Sequence, residues 1–418
     1  MPFHQHVLDN GLTIIGETSP SARSVALGFF VRTGSRDETS EISGVSHFLE
    51  HMVFKGTPRR TSLDVNRDFD KIGASYNAYT SEETTCFYAA ILPEYQPQAM
   101  DILADILRPS LRGDDFEMEK KVIIEEIGMY EDQPMWCAYD LAKKAFFADH
   151  PLGNSILGSA ASVAGLAREQ MQAYFDRRYV GPNITLAVAG NFDWRKFVVL
   201  AERHCASWPK GEAPRGGIRP APATREQQAV PRAKIQQEHV FLLSPGPGIA
   251  DPLRYAADTL GMIIGDDSGS RYYWELVDPG LVESADMSYH EYEGAGAFYT
   301  SFSCEPGKTA DNLAIVRKIL RQVQKDGVTA EELAQAKSKI LSRVVRGSER
   351  PMGRMQALGV IWTYLHAYRS VDDDLQAFEA VTLDDICRVM EGYPLDRHTV
   401  LALGPLDKLK DGNGTVLR

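Results

Sequence analysis

The sequence predicts a pair of homologous α+β domains, each an antiparallel-rich sheet with helices packed on it. Three observations carry that prediction. A chain of 418 residues, 44% hydrophobic and 24% charged, has a globular composition and exceeds the size of one ordinary core. Its two halves repeat one another at a steady offset, the mark of a duplicated unit. Within each half, strand-like runs bracket long amphipathic segments rather than alternating strictly with them, which disfavours a doubly wound parallel sheet.

The repeat can be followed element by element. SVALGFFVRTG from Ser24 and EHVFLLSPG from Glu238 are apolar, strand-like runs that close on glycine. YAAILPE from Tyr88 matches YTSFSCEP from Tyr299, and each precedes a segment of helical period, AMDILADIL from Ala99 and NLAIVRKIL from Asn312. The closing strand ITLAVAGNFD from Ile184 is echoed by TVLALGPLD from Thr399. Between the halves, the stretch from Pro209 is rich in Pro, Gly and charge and lacks periodicity, as a linker does. The expected division is therefore a domain over 1–209, a linker over 210–235 and a second domain over 236–418.

Several classes of function are disfavoured at once. No run approaches the roughly 18 consecutive apolar residues of a membrane span. The N-terminal segment has neither the basic-then-apolar pattern of a signal peptide nor an Arg-rich presequence, so a cytoplasmic chain with no membrane partner is expected. Five cysteines, Cys86, Cys137, Cys205, Cys304 and Cys387, are scattered and never form a CxxC pair. They read as small buried hydrophobes, not as a disulfide framework or a thiolate zinc site. Without secretion the sequons at Asn183 and Asn413 carry no meaning. A formal charge of −12 and the lack of any long Lys/Arg run point away from nucleic acid and towards cationic partners.

The segment GVSHFLEHMVFKG, from Gly44 to Gly56, reads as a helix with Val45, Phe48, Leu49, Met52 and Val53 on its apolar side. His47 and His51 fall on the other side, about 40° apart and one turn distant, which suits two imidazoles sharing one ion. Glu50 lies about 60° to the side of His47, where it can reach a water on the metal without being a ligand. Hydrolytic zinc sites use three protein ligands and leave the fourth position open, so a third is needed.

The helix DDFEMEKKVIIEEIGMYED, opening at Asp114, offers it. Glu126 has Val122, Ile123 and Tyr130 at helical neighbour positions and sits in the apolar stripe, whereas Glu125 faces water. A carboxylate buried without a cation costs several kcal/mol, so Glu126 demands a partner that a divalent metal supplies. Glu119, two turns earlier on the same face, can hydrogen-bond a ligand histidine.

Together these residues resemble the pitrilysin-type (M16) zinc peptidases, and within them the mitochondrial-processing-peptidase-like branch. The motifs LDNGLTII, TGSRDE, SHFLEHMVFKGT, NAYTSEETTCFYA, EKKVIIEEIGMYED, HPLGNSILG and LAVAGNFD all match family patterns and span nearly the whole chain. The resemblance implies a LuxS/MPP-like metallohydrolase fold with zinc bound only in the first domain, one ion per chain, and cleavage of extended or unfolded peptides. It also implies the roles: His47, His51 and Glu126 as ligands, Glu50 as general base and Glu119 as the acid behind a ligand. In the family, the strand matching Asn77 to Ala89 pairs with substrate backbone, which makes Asn77, Ala78 and Tyr79 candidate substrate contacts. Basic peptides are the expected preference, since Glu125, Glu131 and Asp132 add to the overall negative charge.

The chain departs from the family pattern in its second half. Many members carry an arginine seven residues before a tyrosine there, and gapless matching puts Leu276 and Glu283 at those positions. Arg271, Tyr289 and Tyr292 lie nearby but read as structural, and GDDSGSR from Gly265 reads either as a substrate-contacting loop or as a turn. With those groups missing, a homodimer or a heterodimer with a related chain is expected. A zinc-bearing subunit active only with such a partner, and a non-catalytic subunit of the same fold, are the alternatives.

Overall fold

The structure, a computed structural model, describes residues 2–409 except 217, 222 and 223, so the Asn413 sequon lies outside the described residues. The first half forms β1 (Phe3–Val7), β2 (Thr13–Thr18), β3 (Val25–Val31), α1 (Val45–Val53), α2 (Ser62–Lys71), β4 (Ser75–Thr80) and β5 (Thr85–Ile91). It continues with α3 (Gln96–Ile106), α4 (Gly113–Glu131), α5 (Pro134–Phe147), α6 (Ala160–Gly165), α7 (Arg168–Arg178), β6 (Ile184–Gly190) and α8 (Trp194–Cys205). The second half forms β7 (Gln227–Pro231), β8 (Glu238–Gly246), α9 (Arg254–Gly265), β9 (Ala285–Tyr292), β10 (Ala295–Cys304) and α10 (Thr309–Asp326). After these come α11 (Ala330–Ser348), α12 (Pro351–Leu365), α13 (Val371–Glu379), α14 (Leu383–Gly392) and β11 (Thr399–Gly404).

The duplication is written into the sheets. One runs β1-β2-β6-β3-β5-β4 and the other β7-β11-β8-β10-β9, so β2, β6, β3, β5 and β4 correspond in order to the five strands of the second. Even the exception repeats: the parallel pairs are β2 with β6 and β7 with β11, and the other described pairings are antiparallel. This is the α+β arrangement the sequence predicts.

Every residue of β3 and of β6 is buried. A strand apolar on both sides needs a cover on both faces. In the first compact unit, one face of the sheet packs on α1, α3, α7 and α8 through Leu27, Phe29, Phe48, Leu103, Tyr174, Leu186 and Phe197. The other face, with Ile15, Ala26, Phe30, Cys86, Ala187 and Ala189, is covered by Met355, Leu358 and Trp362 of α12. In the second unit, α5 does the equivalent: Ala138, Ala142, Phe146 and Phe147 lie on Phe241, Leu243, Tyr299, Leu401 and Leu403.

The compact units are consequently not the contiguous halves read from the sequence. The first comprises the chain up to Gly128, then Asn154–Gly216 and Val344–Asp372; the second comprises Met129–Gly153, Gly217–Arg343 and the described residues from Asp373 onward. Each half lends one helix to the other's sheet. The helices α4 and α11 are each 19 residues long, the chain changes unit within the C-terminal part of each, at Gly128/Met129 and Arg343/Val344, and each is followed by a helix with proline in its first turn, Pro134 and Pro351.

The expected linker over 210–235 is also shorter than its composition suggests. Arg215 is fully buried, with Nη2 2.9 Å from Asp37 and 2.6 Å from the Glu83 carbonyl oxygen, so the near end is fixed to the first unit. At the far end Gln227–Pro231 is β7, paired with β11. A five-residue edge strand ending in proline leaves no periodic trace, which is why it reads as linker. Of the cysteines, Cys86, Cys205 and Cys304 are buried, Cys137 is half-buried and Cys387 is exposed. Asn183 is buried too, its side-chain amide donating to the carbonyl oxygens of Arg178 and Arg32 at 2.8 and 3.2 Å.

Candidate metal centre

Helix α1 begins at Gly44, whose φ of +92° only glycine adopts without strain; a Cβ there would also stand 2.6 Å from the Leu157 carbonyl oxygen. The Glu38 carboxyl group accepts from the backbone N–H groups of Gly44 and Ser46 at 2.7 and 2.8 Å and so caps the positive end of the helix. Burial pushes Glu38 up to about 7, against those two backbone donors. Ser46 is held further by Tyr174, whose hydroxyl lies 2.7 Å from both Ser46 Oγ and Thr33 Oγ1. Val45, Phe48, Leu49, Met52 and Val53 are buried in the core as expected, which turns His47, Glu50 and His51 to the opposite side.

Helix α4 buries Phe116, Glu119, Ile123 and Ile127. Glu126 sits at the edge of that stripe, not in it: its side chain is 23% exposed, and its neighbours Val122 and Met129 are 44% and 53% exposed. The sequence reading of Glu126 thus needs correcting in its premise. What the structure buries is one atom, Glu126 Oε2, which has no hydrogen-bond partner. It lies 3.5 Å from His51 Nε2 and 3.8 Å from His47 Nε2. Donor atoms around tetrahedral zinc, at bond lengths of about 2.0–2.2 Å, stand roughly 3.3–3.6 Å apart. A buried oxygen without a donor, facing two imidazole nitrogens at nearly that spacing, fits a divalent cation. Among the described residues this is the one cluster of three or more His, Cys, Asp or Glu side chains close enough to share an ion.

The surrounding charges suit ligation. Burial, and then the neighbouring His51, push His47 down to about 3, so its ring is neutral with a lone pair to give. Burial also acts to depress His51, but the hydrogen bond it donates to Glu119 and the charges of Glu126, Glu119 and Glu50 outweigh it and raise the group. Glu119 Oε1 is 2.9 Å from His51 Nδ1, and Glu119 Oε2 is 2.5 Å from Lys55 Nζ. Burial would raise Glu119, but the bonds to His51 and Lys55 hold it below the usual carboxylate range. A proton on His51 Nδ1, directed at Glu119, leaves Nε2 facing Glu126 as the donor. Glu50 is raised by burial, opposed by a hydrogen bond from Thr80 and by the charge of His51.

Of the candidate substrate contacts, the structure places the three on different footings. They lie on β4, which is the last strand of its sheet and, among the described residues, pairs with β5 alone. Asn77 is exposed, with Oδ1 accepting from the Ala78 N–H at 2.9 Å. Tyr76, Ala78 and Thr80 share the face towards α1, where Tyr76 stacks on Phe69 and Thr80 reaches Glu50. The Tyr79 side chain points the other way, its hydroxyl donating to Gln356 of α12 at 3.1 Å, and is committed to the fold. Thr80, Lys55 and Glu38 were not singled out from the sequence. Period-two spacing from Ala78 would have put Thr80 on the α1 face, but only the strand register shows that it meets Glu50.

In the second unit Leu276 is fully buried in a π-helical turn over Tyr273–Val277, and Glu283 is exposed. Arg271 pairs with Glu332 at 2.7 Å, the Tyr289 hydroxyl donates to the Pro247 carbonyl oxygen at 2.7 Å, and Tyr292 and Tyr299 hydroxyls are 3.1 Å apart. All three are engaged in the fold. GDDSGSR is an anchored turn: Asp266 pairs with Lys339 and Arg343 at 2.7 and 3.0 Å, and Gly269 takes φ +69°.

A helix bearing HxxEH, a carboxylate from a second helix and an acid behind one histidine form a candidate divalent-metal centre on a duplicated α+β fold. Residues 13–160 match the family described as Insulinase (Peptidase family M16), and residues 165–340 match the Peptidase M16 inactive domain. The chain is 33% identical over 406 residues to an uncharacterized zinc protease of Mycobacterium bovis, covering 95% of this chain and 92% of that protein. It is 30% identical over 385 residues to an uncharacterized zinc protease of Bacillus subtilis, covering 91% and 93%. In fold it is similar to a protease from Helicobacter pylori, with a TM-score of 0.91, 20% identity and coverage of 97% and 99%. The chain belongs to the M16 peptidase family. No helix among the described residues is long and apolar enough to cross a membrane.

Proposed function

We propose that this protein is a zinc-dependent endopeptidase that hydrolyses peptide bonds in extended or unfolded peptides. The observation that carries the reading is the buried Glu126 Oε2, unpartnered and facing His47 Nε2 and His51 Nε2, with Glu50 beside them. His47, His51 and Glu126 would hold one zinc ion per chain. Zinc held there supplies a Lewis acid and a nucleophilic water near neutral pH.

The chain's own groups do the rest. Glu50 takes the proton of the attacking water on a carboxylate oxygen and passes it to the leaving amine nitrogen. Glu119 keeps His51 in the tautomer that ligates, and Lys55 balances the charge of Glu119. The free edge of β4 around Asn77 and Ala78 offers backbone groups to an extended substrate strand, a mode that reads main chain in place of side-chain sequence. Exposed Glu125, Glu131 and Asp132 support a preference for basic peptides.

One observation favours a second reading, in which activity needs another chain. The position matched to the family's arginine is the buried Leu276, and Arg271, Tyr289 and Tyr292 are tied to structural partners. Donors to the transition state must then come from elsewhere, from a second copy or a related chain. The test is cleavage of a mixed peptide library by the purified chain, with and without a chelator, across a concentration series followed by light scattering. Chelator-sensitive cleavage supports the peptidase, and no cleavage with or without a related chain refutes it. Full activity in a strictly monomeric preparation refutes the requirement for a partner.

A further inference from the structure

We propose that Thr80 is the positioning residue that fixes the Glu50 carboxylate for its work as a base, an inference that rests on the peptidase reading above. The Thr80 hydroxyl donates to Glu50 Oε2 at 2.6 Å, the one side-chain hydrogen bond to this carboxylate among the described residues. Thr85 Oγ1 stands 3.5 Å from Thr80 Oγ1 but donates its own proton to the Thr33 carbonyl oxygen at 3.0 Å. Thr85 Oγ1 is therefore an acceptor too, but at 3.5 Å against 2.6 Å the Glu50 carboxylate is the nearer and the charged one, and it takes the Thr80 proton.

Thr80 is itself held still by the turn that follows it. Ser81 N–H donates to the Thr84 carbonyl oxygen at 2.8 Å, and Ser81 Oγ accepts from the N–H groups of Thr84 and Glu83 at 3.0 and 3.3 Å. The turn is fastened to the neighbouring loop by Ser35 N–H on the Ser81 carbonyl oxygen at 3.3 Å and Arg36 N–H on that of Glu82 at 2.8 Å. A Cβ on Gly34 would stand 2.3 Å from the Ser81 carbonyl oxygen, so the two loops approach as closely as backbone allows. Below them Glu83 pairs with Arg36 at 2.5 Å and with Arg215 at 3.6 Å, all three side chains fully buried. An unrestrained glutamate samples several rotamers, and a base works only within hydrogen-bond reach of the proton it takes. The turn thus gives Glu50 a fixed point of reference that its own helix does not.

The experiment uses the full-length zinc protein with Thr80→Val, which keeps the shape and removes the O–H, and Thr80→Ser, which keeps the O–H. Zinc content, melting temperature, kcat and KM are measured, with Glu50→Gln as the reference, and crystal structures of the wild type and Thr80→Val are compared. The expected result for Thr80→Val is a loss of roughly 10- to 100-fold in kcat, with KM within about twofold and zinc retained. Thr80→Ser should recover to within about threefold of wild type. In the Thr80→Val crystal, the Glu50 carboxylate should leave its position or occupy more than one rotamer. An unchanged kcat, a raised KM at constant kcat, or an unmoved Glu50 would each overturn the assignment. If wild type shows no chelator-sensitive cleavage, or Glu50→Gln leaves cleavage intact, it is the peptidase reading that fails; the Glu50 rotamers still decide whether Thr80 holds that carboxylate.

Discussion

Replacing Glu119 by glutamine should weaken zinc binding without unfolding the protein. The Glu119 carboxylate, 4% exposed, makes two charge-assisted contacts, to His51 Nδ1 at 2.9 Å and to Lys55 Nζ at 2.5 Å. An amide has one acceptor oxygen where the carboxylate has two. In Glu119→Gln that oxygen can serve His51 or Lys55 but not both, and the other donor meets an NH2 group. Lys55, 34% exposed, can turn to water and leave the amide oxygen to His51, so the lasting damage is that the His51 hydrogen bond loses the charge of its acceptor. A charge-assisted hydrogen bond is worth about 1.5–3 kcal/mol. Loss of a carboxylate behind a ligand histidine typically costs about 10- to 100-fold in metal affinity, or roughly 1.4–2.7 kcal/mol. The two ranges agree, and the expected change in zinc Kd is about 10- to 100-fold. The assay is competition with a chromophoric chelator, with Glu125→Gln as control, because Glu125 is exposed on the same helix. A Kd for Glu119→Gln within about twofold of wild type, or an equal loss in Glu125→Gln, would refute the reasoning.

Glu50→Gln should keep stoichiometric zinc and lose activity by at least about 100-fold, while Glu126→Gln and His47→Ala should lose the metal; equal zinc content by elemental analysis in the two glutamine variants would contradict the division of roles. Burial raises Glu38 from 4.5 to about 7, so the folded state holds a proton there that the unfolded state releases. Its stabilising contribution is complete below about 4.5 and disappears as pH rises through about 7, so wild type should lose melting temperature relative to Glu38→Gln across that window, and a flat difference speaks against it. Gly359→Ala puts a Cβ 2.1 Å from the Phe30 ring and should cost about 1–3 kcal/mol in urea unfolding; a neutral result would show that α12 can slide on the sheet. Basic peptides should be cleaved faster than matched acidic ones at low ionic strength, with the ratio falling as salt is added; equal rates at low salt would remove the electrostatic preference.

What the sequence disclosed and what it hid follow from the range of the interactions involved. The relation among His47, Glu50 and His51 is local, set by helical pitch, and it survives intact in α1. The duplication is visible because each strand keeps its apolar run, and β3 with β8, β5 with β10 and β6 with β11 take corresponding places. Covering helices are different. The unbroken apolar runs of β3 and β6 announce that both faces need a cover, but nothing in their pattern says that the cover is α12, whose first residue, Pro351, lies in the other half of the chain. For the same reason α5 cannot be assigned to the second sheet from the text. Glu126 was reached through a stripe that turned out to be half open at Val122; what places it beside the two histidines is the packing of α4 on α1, which its own helical pattern does not show.

The motifs TGSRDE and NAYTSEETTCFYA carried the family resemblance without showing why those residues are required, and the structure supplies the reason. Arg36, Asp37 and Glu38 act on three different targets: Glu83 at 2.5 Å, Arg178 and Arg215 at 3.0 and 2.9 Å, and the first N–H groups of α1. Buried ion pairs add little net stability, because desolvation consumes most of the attraction, but breaking one partner leaves a stranded charge and costs about 3–5 kcal/mol. Such a network tolerates few alternative arrangements. Here Glu38, the chain neighbour of Asp37, ties down the N-terminus of the helix that carries both histidines, and Glu83 of the network sits in the turn that presents Thr80 to Glu50. The proposed metal donors on α1 and the proposed base are thereby referred to the same buried frame. Apolar packing alone would tolerate sliding by tenths of an ångström, and a general base that must meet a proton at hydrogen-bond distance does not.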